Sequence, residues 1–213
     1  MSNHENGFLE DKFWPELKLP ELLSSETLKA LRAAIERAMP LAYVTAHSPE
    51  SKEAWFRNLC LGKEKVARLR FYIQDALGGL NSTVWDVARS NITSISPSSF
   101  GRVRVIDDVI TAGPDRNSMK LGRAQGLITF ADLQEPALAM NINFYFNAGE
   151  YSGSSLCILG RNPILNENRE LPVIGGTGAF RMSRGYSISN TYSHDPVANY
   201  DILEYIVYVT YVE

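Results

Sequence analysis

Three aspartates stand where a carboxylate could do proton chemistry. Asp75 ends the run Leu69-Arg70-Phe71-Tyr72-Ile73-Gln74. Leu69, Phe71 and Ile73 alternate there with Arg70, Tyr72 and Gln74, as they would on the two faces of a strand. The same alternation puts Asp75 on the apolar face. A carboxylate drawn away from water holds its proton more tightly unless donors compensate, which suits general acid or base work. The plainer alternative is a side chain that hydrogen-bonds the amides of the following loop. Asp107 and Asp108 lie side by side in Arg102 to Ile110, RVRVIDDVI. Neighbours in a regular strand face opposite ways, so at most one of them joins an enclosed pocket. Asp107 shares a face with Val103 and Val105, and Asp108 with Arg102, Arg104 and Ile106. Both also suit capping of the loop toward Thr111.

Other chemistries find less support. Gly175-Gly176-Thr177-Gly178 puts three glycines in four positions, yet it is neither the dinucleotide fingerprint nor a P-loop, and no long helical pattern follows. It reads as a tight reversal between two strands. Cys60 and Cys157 allow at most one internal disulfide. Neither clusters with His4, His47 or His194, so no metal site is expected. Asn81-Ser82-Thr83 and Asn91-Ile92-Thr93 match the N-glycosylation acceptor pattern at Asn81 and Asn91, a pattern common by chance.

The formal net charge of -3 and the pI near 5.7 give no broad basic field, which argues against nucleic acid or an anionic membrane as partner. No apolar run approaches the roughly 18 residues of a spanning helix. The opening, MSNHENGFLEDKF, lacks the basic start and apolar middle of a secretory signal. At 213 residues, with 45% hydrophobic and 21% charged side chains, the chain can bury a substantial core.

The elements that would position these residues begin after an extension. Residues 1–63 carry mixed charges and prolines. A helix is predicted over 25–39, capped near Ser24-Ser25 and striped by Leu28, Leu31 and Ile35 until Pro40. A short helical piece is predicted over Glu53 to Leu59. Residues 64–213 change to the period of strands. Ile142, Phe144 and Phe146 alternate with Asn141, Asn143 and Tyr145, and Leu203, Tyr205, Val207, Val209 and Tyr211 share one face of the last run. About eight strands result, with no helical pattern strong enough for parallel crossovers. The expected fold is all-β, an antiparallel sheet closed into a barrel, which removes its edges. Eight strands leave room for packed side chains or one small ligand.

The succession FYIQD, GRVRVIDDVIT, GPD, GRAQG, YSGSSL, GRNPI, REL and PVIGGTGAFRMSRGY, spread from Lys65 to Tyr211, closely resembles the plant dirigent family. The resemblance implies an eight-stranded antiparallel barrel similar to that of allene oxide cyclases, a homotrimer with one pocket per subunit, and no cofactor. It implies a phenylpropanoid role in which phenoxy radicals from an external laccase or peroxidase are guided into one lignan stereoisomer. Some relatives instead convert a hydroxylated isoflavanol through a quinone methide into a pterocarpan. A non-catalytic structural or carbohydrate-interacting barrel is the remaining alternative. Family membership implies secretion to the apoplast, and the visible N-terminus leaves an intracellular location open.

Residue by residue, the resemblance puts Asp75, Asp107 or Asp108, and Arg169 in the pocket as catalytic groups. For Arg169 the plain alternative is an ion pair with Glu167, Glu170 or Asp132. Asn162 stands where lignan-forming members carry an aspartate, and Ile128 and Phe130 where they carry tyrosines, which weakens an assignment to coniferyl alcohol coupling. Tyr186 and Tyr205 are candidate ring-stacking residues, and Phe144 and Phe180 candidates for shaping the ligand volume. The Gly175 to Gly178 reversal is expected beside the Asn162 to Glu170 rim.

Overall fold

The computed structural model describes residues 62–212, together with Lys29, Glu53, Ala54, Phe56 and Arg57. Contacts divide the chain into Met1–Asn58 and Leu59–Glu213. In the first unit Lys29 is helical, as are Glu53, Ala54, Phe56 and Arg57. Arg57 bonds Glu53 one turn earlier at 2.5 Å. The rest of the predicted 25–39 helix, and Cys60, lie outside the described residues. Cys157 is a free thiol.

The second unit is made of nine strands: β1 Glu64–Ala76, β2 Val84–Ala88, β3 Val103–Thr111, β4 Lys120–Phe130, β5 Ala137–Phe146, β6 Ser155–Pro163, β7 Arg169–Thr177, β8 Arg184–Asp195 and β9 Tyr200–Val212. Eight of them close an antiparallel barrel in the order β1-β9-β8-β7-β6-β5-β4-β3, with β1 returning to β3. That last seam is short. Only Tyr72, Ile73 and Gln74 pair with β3, and β2 then takes over the remaining edge, from Val84 opposite Ile106 to Ala88 opposite Val103. The sequence pattern left β2 unassigned because this strand is mostly exposed and lacks an alternating apolar face. Among the described residues no helix is long and apolar enough to cross a membrane.

Alternation decides what fills the barrel. Along β5 every second side chain from Leu138 to Phe146 is buried, as strand periodicity requires. Mid-barrel, Phe71 stacks on Tyr205 at 6.0 Å, and Phe144 meets both rings edge-on at 5.1 Å, a favoured aromatic geometry. Phe146, Tyr151, Phe180 and Tyr211 pack beyond them, toward the end where β1 begins and β9 finishes. The barrel is therefore solid at this end and hollow at the other.

The glycine stretch departs from expectation. Gly175 and Gly176 lie within β7, opposite Cys157 and Leu156. The chain reverses later, through a 3-10 turn at Gly178–Phe180, where Gly178 has φ +62°. The register slips between Cys157 and Ile158, so Ile174 bulges outward and is exposed. This reversal closes the solid end, across the barrel from Asn162 and Arg169. Two antiparallel hairpins in succession must turn at opposite ends, which corrects the expected position beside the pocket rim.

Candidate active site

The hollow end is a cavity of about 350 Å³. Its walls come from inward rows: Ile73 and Asp75 of β1 with Leu77 just beyond it, Arg104, Ile106 and Asp108 of β3, Ile128 and Phe130 of β4, and Leu138, Met140 and Ile142 of β5. Asn162, Arg169 and Thr191 line the far side, with Tyr205 reaching into the cavity from β9. The apolar walls suit an aromatic ligand, and the few polar groups converge from its two ends.

One end is acidic. Asp108 is 2% exposed and accepts a hydrogen bond from the Thr83 hydroxyl. Thr83 is fixed in turn by the Ala76 amide, which donates to its Oγ1 at 3.1 Å. Asp75 is partly buried, but its Oδ1 is fully so and has no hydrogen-bond partner among the described residues. Burial raises its proton affinity well above the usual carboxylate range. Asp201 raises it further, and Arg104 pulls it back. Burial likewise raises Asp108, with Asp75 adding to the effect and the Thr83 bond opposing it. Two carboxyls in one dry corner disfavour each other's charge, so near neutrality this end of the cavity holds protons.

The other end is cationic and polar. Carrying the Ile158 to Val173 pairing outward along β6 and β7 sets Asn162 opposite Arg169. The Arg169 guanidinium donates through Nη1 to the carbonyls of Ile164 and Asn166 and to Thr191 Oγ1, at 3.0 to 3.2 Å. Its Nε and the Asn162 Oδ1 are buried without partners among the described residues. None of the ion pairs among the described residues involves Arg169, and Asp132, one of the partners in its alternative reading, pairs with Arg161 at 2.9 Å. Burial lowers the Arg169 pKa. Tyr205 is pushed up to about 12, chiefly by burial, so its phenol stays protonated.

The structure thus brings Asp75, Asp108, Asn162, Arg169, Ile128, Phe130 and Tyr205 to one cavity. It leaves out four candidates. Asp107 points outward, where Arg123 Nε donates to it at 2.7 Å and Gln125 at 3.0 Å. These bonds hold its carboxyl below the usual range. Tyr186 lies outside the barrel, stacked on Tyr208 at 5.1 Å, because β8 turns its serines inward: Ser187 and Ser189 are fully buried. Phe144 is core packing beneath the cavity, and Phe180 plugs the solid end. Asn81 and Asn91 are exposed outside the sheet. Sequence reading missed Arg104, Thr191, His194 and Asp201 as lining residues. Arg104 had a signal, since it shares the Asp108 face. Asp201 had none, because its place follows from cross-strand register. Among the described residues no group of three or more His, Cys, Asp and Glu is placed to hold a metal ion.

The family profile described as Dirigent-like protein matches residues 66–210. Dirigent protein 11 of Arabidopsis thaliana is 41% identical over 78% of this chain and 84% of its own length. Pterocarpan synthase 1 of Glycyrrhiza echinata is 39% identical over 69% of this chain and 79% of its own length. A solved pterocarpan synthase dirigent protein superposes with a TM-score of 0.65 at 38% identity, covering 70% of this chain and 97% of that one.

Proposed function

The chain belongs to the dirigent family, and from that premise we propose that the open end of its barrel binds one small phenolic molecule and directs the fate of a quinone methide made from it. The reaction is a cofactor-free dehydration and ring closure that would yield a pterocarpan, the product named in its synthase relatives. The observation that carries this reading is a carboxyl with a buried, unpartnered oxygen at one end of an apolar cavity and a buried guanidinium at the other.

Loss of hydroxide from a benzylic carbon is slow unless the leaving oxygen is protonated as the bond breaks. Asp75, which lines the cavity, donates that proton, and water departs. The phenol conjugated with that carbon gives its own proton to solvent and becomes the carbonyl of the quinone methide. Arg169 Nε holds this oxygen as charge develops on it, an interaction strengthened where water is excluded. A second hydroxyl of the same molecule then attacks the carbon. Its proton passes to the Asp75 carboxylate, and the carbonyl oxygen recovers a proton from solvent. The sum is substrate to cyclic ether plus water. The unpartnered Asn162 Oδ1 can accept a hydrogen bond from the ligand at the Arg169 end but cannot take a proton, which confines acid and base work to the Asp75 end.

Polar groups at both ends of one cavity favour a second reading. Two phenoxy radicals made by an external laccase or peroxidase would lie end to end and couple into one lignan stereoisomer. Racemic 2'-hydroxyisoflavanol without oxidant, and coniferyl alcohol with laccase, followed by chiral chromatography, separate the two. Accelerated pterocarpan formation in the first is expected. Enantiomeric excess only in the second would replace the first reading with the second, and no effect in either would overturn both. Secretion to the apoplast with glycans at exposed Asn81 and Asn91, and assembly as a homotrimer, are proposed with the family role.

A further inference from the structure

The acids of the cavity belong to a longer row that reaches solvent. The β1–β9 register pairs Asp75 with Asp201, and the β8–β9 register pairs Asp201 with His194. Directly opposed residues of an antiparallel pair keep their Cβ atoms about 4.5–5.5 Å apart. His194, Asp201 and Asp75 therefore line up across three strands, and Asp108 on β3 continues the line on the far side of Asp75. All four side chains line the cavity. Exposure falls along the row: the His194 side chain is 60% exposed and that of Asp201 19%, whereas Asp108 is 2% exposed. His194 Nδ1 lies 2.6 Å from Asp201 Oδ1.

We propose that His194 and Asp201 form a control pair at the cavity rim that sets whether Asp75 carries its proton, with His194 acting only through Asp201. The proposal rests on the reading of Asp75 as the working acid. The physical link is charge. A bare Asp201 carboxylate next to Asp75 opposes a second negative charge there, and it is the largest influence on Asp75 after burial. A proton on His194 turns the 2.6 Å hydrogen bond into an ion pair, which offsets the Asp201 charge and lets Asp75 ionise more readily. Loss of that proton restores the bare carboxylate, and Asp75 keeps its own.

Other charged and titratable groups face the pair. Arg104 and Asp108 come from β3, Arg169 from β7, Asp195 from the end of β8, and Tyr200 and Tyr205 from β9. Arg104 and Arg169 stay charged across the relevant pH range and Tyr205 stays neutral, so they shift the setting without switching it. Asp195 is engaged by the amides of Val197 and Ala198.

The pair works against simple titration. A proton on His194 loosens the hold of Asp75 on its own proton, so the two sites oppose each other's protonation. Asp75 therefore titrates over a widened interval and supplies both its acid and its base form across it. A carboxyl that must donate a proton and then accept one benefits from that spread.

Carbon-13 NMR of protein labelled at aspartate carboxyls, with the Asp75 signal assigned by its loss in D75N, tests the proposal. D201N should move the Asp75 midpoint to lower pH. H194N, whose amide replaces Nδ1 as hydrogen-bond partner but never ionises, should move it to higher pH and narrow it, leaving the breadth that Asp108 contributes. The double variant should titrate as D201N does. An unmoved midpoint in D201N, or an H194N shift that survives in the D201N background, overturns the pair. His194 lies on the exposed rim, so an H194N curve identical to the unmodified protein overturns it even if D201N fails to fold. The kcat/KM pH profile on the isoflavanol should follow the same order. Midpoint shifts without turnover on any phenol would uphold the pair and overturn the functional reading.

Discussion

Asp107 and Asp108 are separated by one peptide bond and behave as different chemical species. Asp107 faces solvent and two donors, so it stays ionised. Asp108 faces the cavity, where burial raises its hold on a proton. Strand alternation gave this choice its form, since at most one could point inward, and closure of the barrel decided which. Replacing the inward acid Asp75 with asparagine should lower turnover by about 100-fold or more, the usual scale for a general acid or base, while the barrel stays folded. R169A should likewise reduce turnover or product selectivity while the protein stays folded. Full activity in both variants would mean the chemistry lies elsewhere. The raised proton affinities of Asp75 and Asp108 also set a pH dependence of stability. A carboxyl whose folded pKa lies above its unfolded value contributes stability that is complete below the ordinary carboxylate range, and that stability is lost as pH rises through the folded value. Melting temperature should therefore fall between pH about 5 and about 8, and D108N should flatten the fall. An equal slope in D108N would show that Asp108 is not among the groups responsible.

At the scale of elements, two local irregularities make the barrel usable. The seam between β1 and β3 is three residues long, so β1 can lean away and carry Asp75, with Leu77 after its end, along the cavity wall. β2 covers the β3 edge that this exposes, and the turn before it brings Thr83 onto Asp108. On the opposite wall, β7 passes close to β6 through its glycines. A Cβ added at Gly176 would stand 2.2 Å from the Ser155 carbonyl oxygen and 2.8 Å from Phe180 Cβ. G176A should cost about 1–3 kcal/mol, the range for overpacking, read from denaturant midpoints. The change lies at the solid end, so ligand binding in the folded fraction should survive it. Unchanged stability would show that β6 and β7 can separate there freely.

The whole molecule divides its interior by strand direction: aromatic packing fills one end, and polar groups on apolar walls occupy the other. Its exterior carries a row set by register, in which Trp85 lies opposite Val105, Val105 opposite Leu127, Leu127 opposite Asn141, and Asn141 opposite Leu159. The four apolar members are exposed. An apolar row of this extent on a folded surface fits contact with another subunit, and it is the surface assigned to the proposed homotrimer. L127K should convert the trimer to monomers in sedimentation equilibrium while the barrel's circular dichroism is retained. A trimer that persists in L127K would move the interface to another face.

The amino-acid sequence by itself determined the antiparallel class, the inward placement of Asp75, the alternative between Asp107 and Asp108, and the family. Each follows from the two-residue period of strands or from motifs read in order, and both are local. Tertiary structure alone decided what needs two strands to be aligned. It set Asp201 opposite Asp75, drew His194 into the same row, decided for Arg169 between the pocket and an ion pair, and sent Tyr186 outward. It also moved the glycine reversal to the closed end, because a barrel alternates its turns between ends whatever the residues in them. Register and closure are properties of paired strands, so the residues they bring together carry no mark of it along the chain.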